Sequence, residues 1–297
     1  MRYKTVPYTV FSIFNHIFMI LICIVIIFPY VNVLAVALND NSVTITSGLA
    51  LWPQRFTLIN FQTMLSDPQI LRATQITLMR ILISVPLTIL INFMGSYSLS
   101  KNYLPGRRFM VFLLLVPMYI SAGLIPTFIL YAEIGLLNNF WVYVLPVGFN
   151  FFFFILLRTY MYTIPSSLEE SAKLDGANDF TIMWRIYFPL CTPILATLVL
   201  FATVAHWNDW TTTLYFIRNA NLNTLAYELN RVLREQDRIL RLIQEAVMSG
   251  MIPTQTPGTS AGLRNAQIII TTLPIIMIYP FLQKYFIHGM MVGSVKE

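Results

Sequence analysis

Glu169 to Pro189 reads EESAKLDGANDFTIMWRIYFP. Four acids, Glu169, Glu170, Asp175 and Asp179, stand in its first eleven residues, and the runs on either side of the stretch are apolar. A charged segment between apolar runs belongs on one face of a membrane, outside the lipid. It begins as a helix begins. Ser166 with Glu169, or Ser167 with Glu170, spells a capping box, and acids in a first turn suit the helix dipole. Gly176 is placed to close the short helix in a left-handed cap. Asn178 or Asp179 then opens a second helix that runs into the next apolar run. The small side chains of Ser171, Ala172 and Ala177 leave room for another backbone. One reading is an amphipathic helix lying on lipid. The other is a helix–turn–helix seated in a partner protein's groove. The four acids match an anionic leaflet poorly, which favours the partner.

Working outward, the whole chain shares the apolar character of those flanks. Of 297 residues, 57% are hydrophobic and only 11% charged, against about 25% charged in a soluble domain. The charge is missing from long continuous runs, which is the signature of membrane spans. The net charge of +6 comes from basic residues beside those runs, as the positive-inside rule expects, so it does not point to nucleic acid. Cys23 and Cys191 are too far apart in sequence for a metal site, and a disulfide in lipid is disfavoured. They read as small packing residues.

The apolar runs predict an all-α polytopic protein with six spans, at 10–38, 74–99, 109–131, 140–157, 186–205 and 266–286. Arg2 and Lys4, the basic turn SKNYLPGRR at 100–108, and Arg158 mark the cytoplasmic face. Both termini are then cytoplasmic, as is the segment 165–187, while 211–264 is a long extracytoplasmic loop. Ala35-Val36-Ala37 imitates a signal cleavage site, but the preceding run exceeds the roughly 7–15 residues of a signal core. Arg80 lies about two turns inside the second span, where it either snorkels to the interface or faces a protein interior. Pro86 is expected to kink that span, and Pro117 and Pro126 fall in the third. Within the long loop, Thr224–Val247 repeats leucine, isoleucine and valine at helical spacing. That helix either reaches an external partner or packs on the chain's own outer face.

Glu170-Ser171-Ala172, then Gly176, then Ile186-Tyr187-Phe188-Pro189 resembles the E-A-A-x(3)-G-x(9)-I-x-L-P signature of ABC-importer permeases. The spacing agrees at every step, with Ser171 in place of Ala and Phe188 in place of Leu. Trp52-Pro53, Phe56-Thr57, Asn60-Phe61, Trp207-Asn208-Asp209-Trp210 and the tail from Lys284-Tyr285-Phe286 through Gly289, Gly293, Val295 and Lys296 extend the likeness over most of the chain. They narrow it to the carbohydrate class, similar to the second permease of the maltose system. The long fifth outside loop most resembles permeases for complex oligosaccharides.

The resemblance implies a type I ABC-importer permease fold in a bacterial plasma membrane. It implies a heterodimer with a second permease, a dimer of cytoplasmic ATPases, an extracellular or periplasmic solute-binding protein, and a sugar substrate. Glu169, Glu170, Ser171, Ala172, Asp175, Gly176, Ala177, Ile186 and Pro189 would form the face that couples to the ATPase. Glu170 either contacts a basic ATPase residue or only steadies its own helix start. No cofactor is expected in this chain, which has no G-x-x-x-x-G-K-[ST]; ATP and Mg would belong to the ATPase. Tyr119, Ser121, Asn150 and Asn208 either line a sugar path or form helix–helix hydrogen bonds. In the maltose system the sugar is held mainly by the other permease, which weighs against the path.

Three rival readings are an intramembrane enzyme, a passive channel and an ABC importer of a non-sugar solute. The enzyme needs a constellation such as paired mid-span carboxylates or H-E-x-x-H. His16, His206 and His288 are scattered near span ends and no carboxylate pair sits mid-span, so a non-catalytic transport subunit is the better fit. ATP-dependent uptake separates an importer from a channel.

Overall fold

The computed structural model describes residues 6–40, 51–249 and 261–294. Arg2, Lys4, Val295 and Lys296 lie outside them. Among the described residues the regular structure is helical, with one isolated antiparallel bridge between Asn39 and Phe56. The helices are α1 Val6–Ala37, α2 Ile59–Ser66, α3 Pro68–Ser100, α4 Arg107–Tyr119, α5 Leu124–Glu133, α6 Phe151–Met161, α7 Ser166–Leu174, α8 Asp179–Ile182, α9 Phe188–Leu190, α10 Thr192–Asn208, α11 Thr211–Phe216, α12 Leu225–Met248 and α13 Ala261–Ser294.

These elements form two units. The first holds α1, α2 and residues 231–273. Most of α1 is exposed apolar surface, with Phe11, Phe14, Ile20, Val25 and Ile26 all open. That is the composition of a helix meant to face lipid. Its C-terminal carbonyls have no partners within the helix. The amide of buried Asn60 supplies one, donating to the carbonyls of Ala37 (2.9 Å) and Asn39 (3.0 Å). Asn39 in turn accepts from the backbone N–H of Arg55 at 3.0 Å. The Phe56–Asn60 segment thus folds back as a cap on α1.

The second unit, residues 69–230 with 274–297, is organised on α3. This helix continues through Pro86 as one element of 33 residues. Val85, Ile89, Phe93 and Tyr97 on α3 pack with Phe153, Leu157 and Met161 of α6. Ile182, Met183, Tyr187 and Cys191 complete the cluster with Leu195, Leu198 and Ala202 of α10.

The third, fourth and fifth expected spans are not single helices; the fifth, at 186–205, is broken between α9 and α10. At 109–131 the chain breaks at residues 120–123, where α4 and α5 meet at 113°. Pro117 weakens the end of α4, and Gly123 takes φ +85, a left-handed angle that glycine adopts at low cost. At 140–157 the chain makes a short 3-10 turn over Phe140–Tyr143, and α6 starts only at Phe151. Pro146 and Gly148 fall in the irregular run between.

Irregular backbone survives at membrane depth only where protein satisfies it. A polar stripe on α3 does so. Ser84 donates to the Tyr143 carbonyl (3.2 Å), Thr88 to Val147 (3.0 Å), Asn92 to Gly148 (3.3 Å) and Ser96 to Phe154 (2.8 Å). Asn92 also accepts from the Asn150 N–H at 3.1 Å. Residues 84, 88, 92 and 96 are four apart, so they share one face of the helix.

Asn92→Leu removes both halves of that pairing and leaves buried polar groups bare, at a cost of about 1–3 kcal/mol. The expected result is a clearly lowered thermal midpoint in detergent. Ser98→Ala, on the exposed side of α3, is expected to shift it by less than about 0.5 kcal/mol equivalent.

Candidate functional site: the loop at 165–189

The polar insert folds as two helices and a turn. The capping box expected at its start is absent. Pro165 occupies the cap position without a side-chain hydrogen bond, and Glu169 is turned elsewhere. The end of α7 matches expectation. Gly176 has φ +81, its N–H donates to the Lys173 carbonyl, and the Ala177 N–H donates to Ala172 at 2.9 Å. This is a Schellman closure. A Cβ on Gly176 would meet nothing within 4 Å, so the backbone angle, not packing within this chain, selects glycine here. Asn178 caps α8, accepting from the Thr181 N–H at 2.8 Å.

Beyond α8 the helix widens into a π turn, Met183–Tyr187. Pro189 lacks the N–H that would bond the Arg185 carbonyl, which fits a loosened ladder at this point. π turns are rare and recur at functional sites. A 77° bend follows at Cys191, between α9 and α10.

The two faces of α7 differ. Ser167, Glu170, Ser171 and Leu174 lie on one stripe and are all exposed, Leu174 to 90%. The opposite side is turned inward. Ala172 and Ala177 pack on the chain's own apolar cluster, as does Ile186. Of the small side chains at 171, 172 and 177, the two alanines therefore serve the loop's own seating, and Ser171 faces outward. Asp175 and Pro189 are exposed.

Glu169 is the hub of the inward face. Its carboxylate accepts from Lys101 Nζ at 2.5 Å, from Lys173 Nζ at 2.8 Å and from the Tyr187 hydroxyl at 3.0 Å. Lys101 is only 6% exposed. Its ammonium lies 4.0 Å from the Tyr97 ring centre and 4.2 Å from that of Tyr187. Those two rings meet edge to face with centres 5.0 Å apart. Tyr97 donates to the Asp179 carbonyl (3.1 Å), and Tyr103 donates to the Asp179 carboxylate (3.0 Å). Arg158 Nε closes the floor on the Leu99 carbonyl at 2.9 Å. The ends of α3 and α6, the Lys101 turn and the polar loop are thus one bonded assembly. The basic turn marked a membrane face in the sequence, but nothing in its spacing announced that Lys101 is buried.

About three turns inside the start of α3, Arg80 settles the choice left open for it and faces the protein interior. It is 2% exposed and pairs with Asp209 at 2.6 Å, with Cζ 4.8 Å from the Tyr143 ring centre. Asp209 also accepts from the hydroxyls of Thr211 (2.7 Å) and Thr212 (2.5 Å). The Tyr143 hydroxyl bonds Thr213 and the Leu222 carbonyl, each at 2.8 Å. The Leu225 N–H donates to Thr77 at 2.9 Å. These bonds pin the start of α12, which runs over Leu225–Met248, one residue on from the range read in the sequence.

Tyr119, Ser121, Asn150 and Asn208 are all exposed on the chain. Ser121 accepts from the Gly123 N–H at the α4–α5 break, and Asn150 is the N-cap of α6. Nothing in the structure gathers the four together.

A long apolar-faced helix, a core helix with buried polar bonds, and a polar loop with one seated and one open face define a helical membrane protein. The chain belongs to the family of binding-protein-dependent transport system inner membrane components, whose model matches residues 93–292 and so takes in the whole loop. It is 31% identical over 287 residues to Protein LplC of Bacillus subtilis (strain 168), covering 97% of this chain and 95% of that one. It is 32% identical over 279 residues to the polygalacturonan/rhamnogalacturonan transport system permease protein YtcP of the same organism, covering 94% and 96%. A bacterial ABC transporter involved in the import of the acidic polysaccharide alginate shares the fold, with a TM-score of 0.84 and 24% identity over 96% of this chain and 100% of that one. The fold is that of an ABC importer permease, and the chain is a bacterial membrane protein.

Burial alone would raise the Glu169 carboxyl. The hydrogen bonds from Lys101, Lys173 and Tyr187 outweigh it and hold the group at about 2. Burial also pushes the Lys101 ammonium below its ordinary range, opposed by Glu169. A depressed carboxyl contributes its full stability above its ordinary value, near 4.5, and loses it as the pH falls through the folded value. The difference in thermal midpoint between the parent and Glu169→Gln is therefore expected to be constant above about pH 4.5 and to close as the pH falls toward about 2. A gap that closes near neutral pH would contradict the ion-paired carboxylate.

Proposed function

We propose that this chain is a permease subunit of an ATP-driven ABC importer for a sugar or oligosaccharide, and that segment 165–189 couples it to the ATPase. The observation that carries the coupling role is the two-faced helix α7: its inner side is bonded to Lys101 just after α3 and packs on the apolar cluster shared by α3, α6 and α10, and its outer stripe of Glu170, Ser171 and Leu174 is open. An exposed leucine beside an acid suits a groove with an apolar floor and a basic rim. The sugar class is supported by relatives named for polygalacturonan/rhamnogalacturonan and maltodextrin transport.

In this reading the chain crosses the membrane six times with both termini cytoplasmic. It pairs with a second permease and rests on a dimer of ABC ATPases, which bind ATP and Mg. It performs no chemistry of its own. A solute-binding protein delivers the sugar from outside; a structure sharing the fold, with a TM-score of 0.59, is that of a bacterial alginate ABC transporter in complex with an alginate pentasaccharide-bound periplasmic protein. Closure of the ATPases displaces α7. The displacement passes through the π turn at Met183–Tyr187 and the bend at Cys191 into α10. Tyr119, Ser121 and Asn208, exposed on this chain, would border the sugar path in the assembled transporter, while the side-chain oxygen of Asn150 already caps α6.

The decisive test is a cross-link. Ala172 packs on its own core, so the reporter belongs at Leu174→Cys, in a background lacking Cys23 and Cys191. The expected outcome is an adduct with the co-expressed ABC ATPase whose yield changes between nucleotide-free and ATP-bound states. No adduct from an intact complex would place the loop on the lipid surface instead.

A further inference from the structure

We propose that Lys101 is a positioning residue for transport: its ammonium, held between Tyr97 and Tyr187 and paired with Glu169, makes the end of α3 follow α7. The inference rests on the reading of 165–189 as the ATPase-coupling loop. It adds a named element by which motion of that loop would reach the helix that organises the second unit.

The geometry is unusual for a lysine in a short turn. An exposed lysine in such a turn contributes little through any one partner. This one is almost wholly buried, contacts two aromatic rings at cation–π distance, and donates to a carboxylate at 2.5 Å. Each partner comes from a different part of the assembly. Tyr97 is on the last turns of α3, Glu169 on α7, and Tyr187 in the π turn that leads to α10. The charge therefore sits where three elements meet. The remaining polar groups around it, Lys173, Asp179 and Tyr103, tie α7 to α8 and to the turn after Lys101. Lys173 and Tyr103 do not reach α3, and Asp179 reaches it only through its neutral backbone carbonyl, which accepts from Tyr97; Lys101 makes the charged tie. A buried pair between moving parts is costly to break because each charge is left without water. It therefore favours joint displacement over relative sliding.

The test compares distances in the assembled transporter. Spin labels at Ser98→Cys, on the exposed side of α3, and Asp175→Cys, at the end of α7, are read by pulsed electron resonance. The background lacks Cys23 and Cys191, and the complex is taken nucleotide-free and trapped with ATP and vanadate. With Lys101 present the separation is expected to stay constant between the two states. In Lys101→Met it is expected to change by more than about 2 Å, the scale of helix shifts in switching transitions. Lys101→Arg, which keeps a cation between the rings, is expected to restore the constant separation. If Lys101→Met fails to assemble, Glu169→Gln is the milder variant, and the same change is expected there. A constant separation in the variant that assembles, or a changing one with Lys101 intact, overturns the proposal. Loss of the Leu174→Cys adduct with the ATPase is a separate outcome and overturns the coupling reading beneath it.

Discussion

The second unit depends on one constraint: a peptide group buried in a membrane protein must find its partner in the protein. The chain from Tyr143 to Phe154 abandons helix for much of its length, and so gives up the internal bonds that make a helix tolerable there. Ser84, Thr88, Asn92 and Ser96 return them from one face of α3. Everything else is arranged around that exchange. Apolar Val85, Ile89 and Phe93 share the helix with the polar stripe and pack against α6, Ile182 and α10. The same helix therefore supplies both the unit's hydrogen bonds and much of its core.

Two buried cations bracket the core length of α3, Arg80 about three turns inside its start and Lys101 just past its end. Arg80 meets Asp209, and Lys101 meets Glu169. Such pairs add little net stability, because desolvation offsets much of their attraction. Their effect is on uniqueness. A greasy helix among greasy helices could rotate or slide at small cost, whereas a buried charge has one acceptable address. The aromatic rings stacked on both cations, Tyr143 on Arg80 and Tyr97 with Tyr187 on Lys101, shield the pairs from alternatives.

What could be read in the sequence was what is local or periodic. Gly176 announced a left-handed cap by its place after a short helix. Asn178 announced a helix start, and Thr224–Val247 announced its helix by spacing. The signature around Glu170 pointed to the family before any coordinates. What could not be read was long-range and specific. The capping box at Ser166 and Glu169 was spelled correctly, yet Glu169 had stronger partners 68 and 18 residues away in Lys101 and Tyr187. Local grammar lost to a charge-assisted bond. The apolar runs at 109–131 and 140–157 were long enough to be helices, and hydropathy does not register where one breaks. The polar stripe was present in the letters, four residues apart on α3, but its partners are backbone carbonyls, which carry no sequence signal.

The polar stripe also governs how the second unit can deform. Four side chains, spaced four residues apart on a single helix, grip the carbonyls of Tyr143, Val147, Gly148 and Phe154 along the run that leads from the 3-10 turn into α6. Sliding by a residue would break all four grips at once and offer no new set, since the residues between them on α3 point elsewhere. The helix and the run it holds are therefore geared together and behave as one lever. Two of the chain's sharp changes of direction, 113° across 120–123 and 77° at Cys191, fall outside the length held by this stripe.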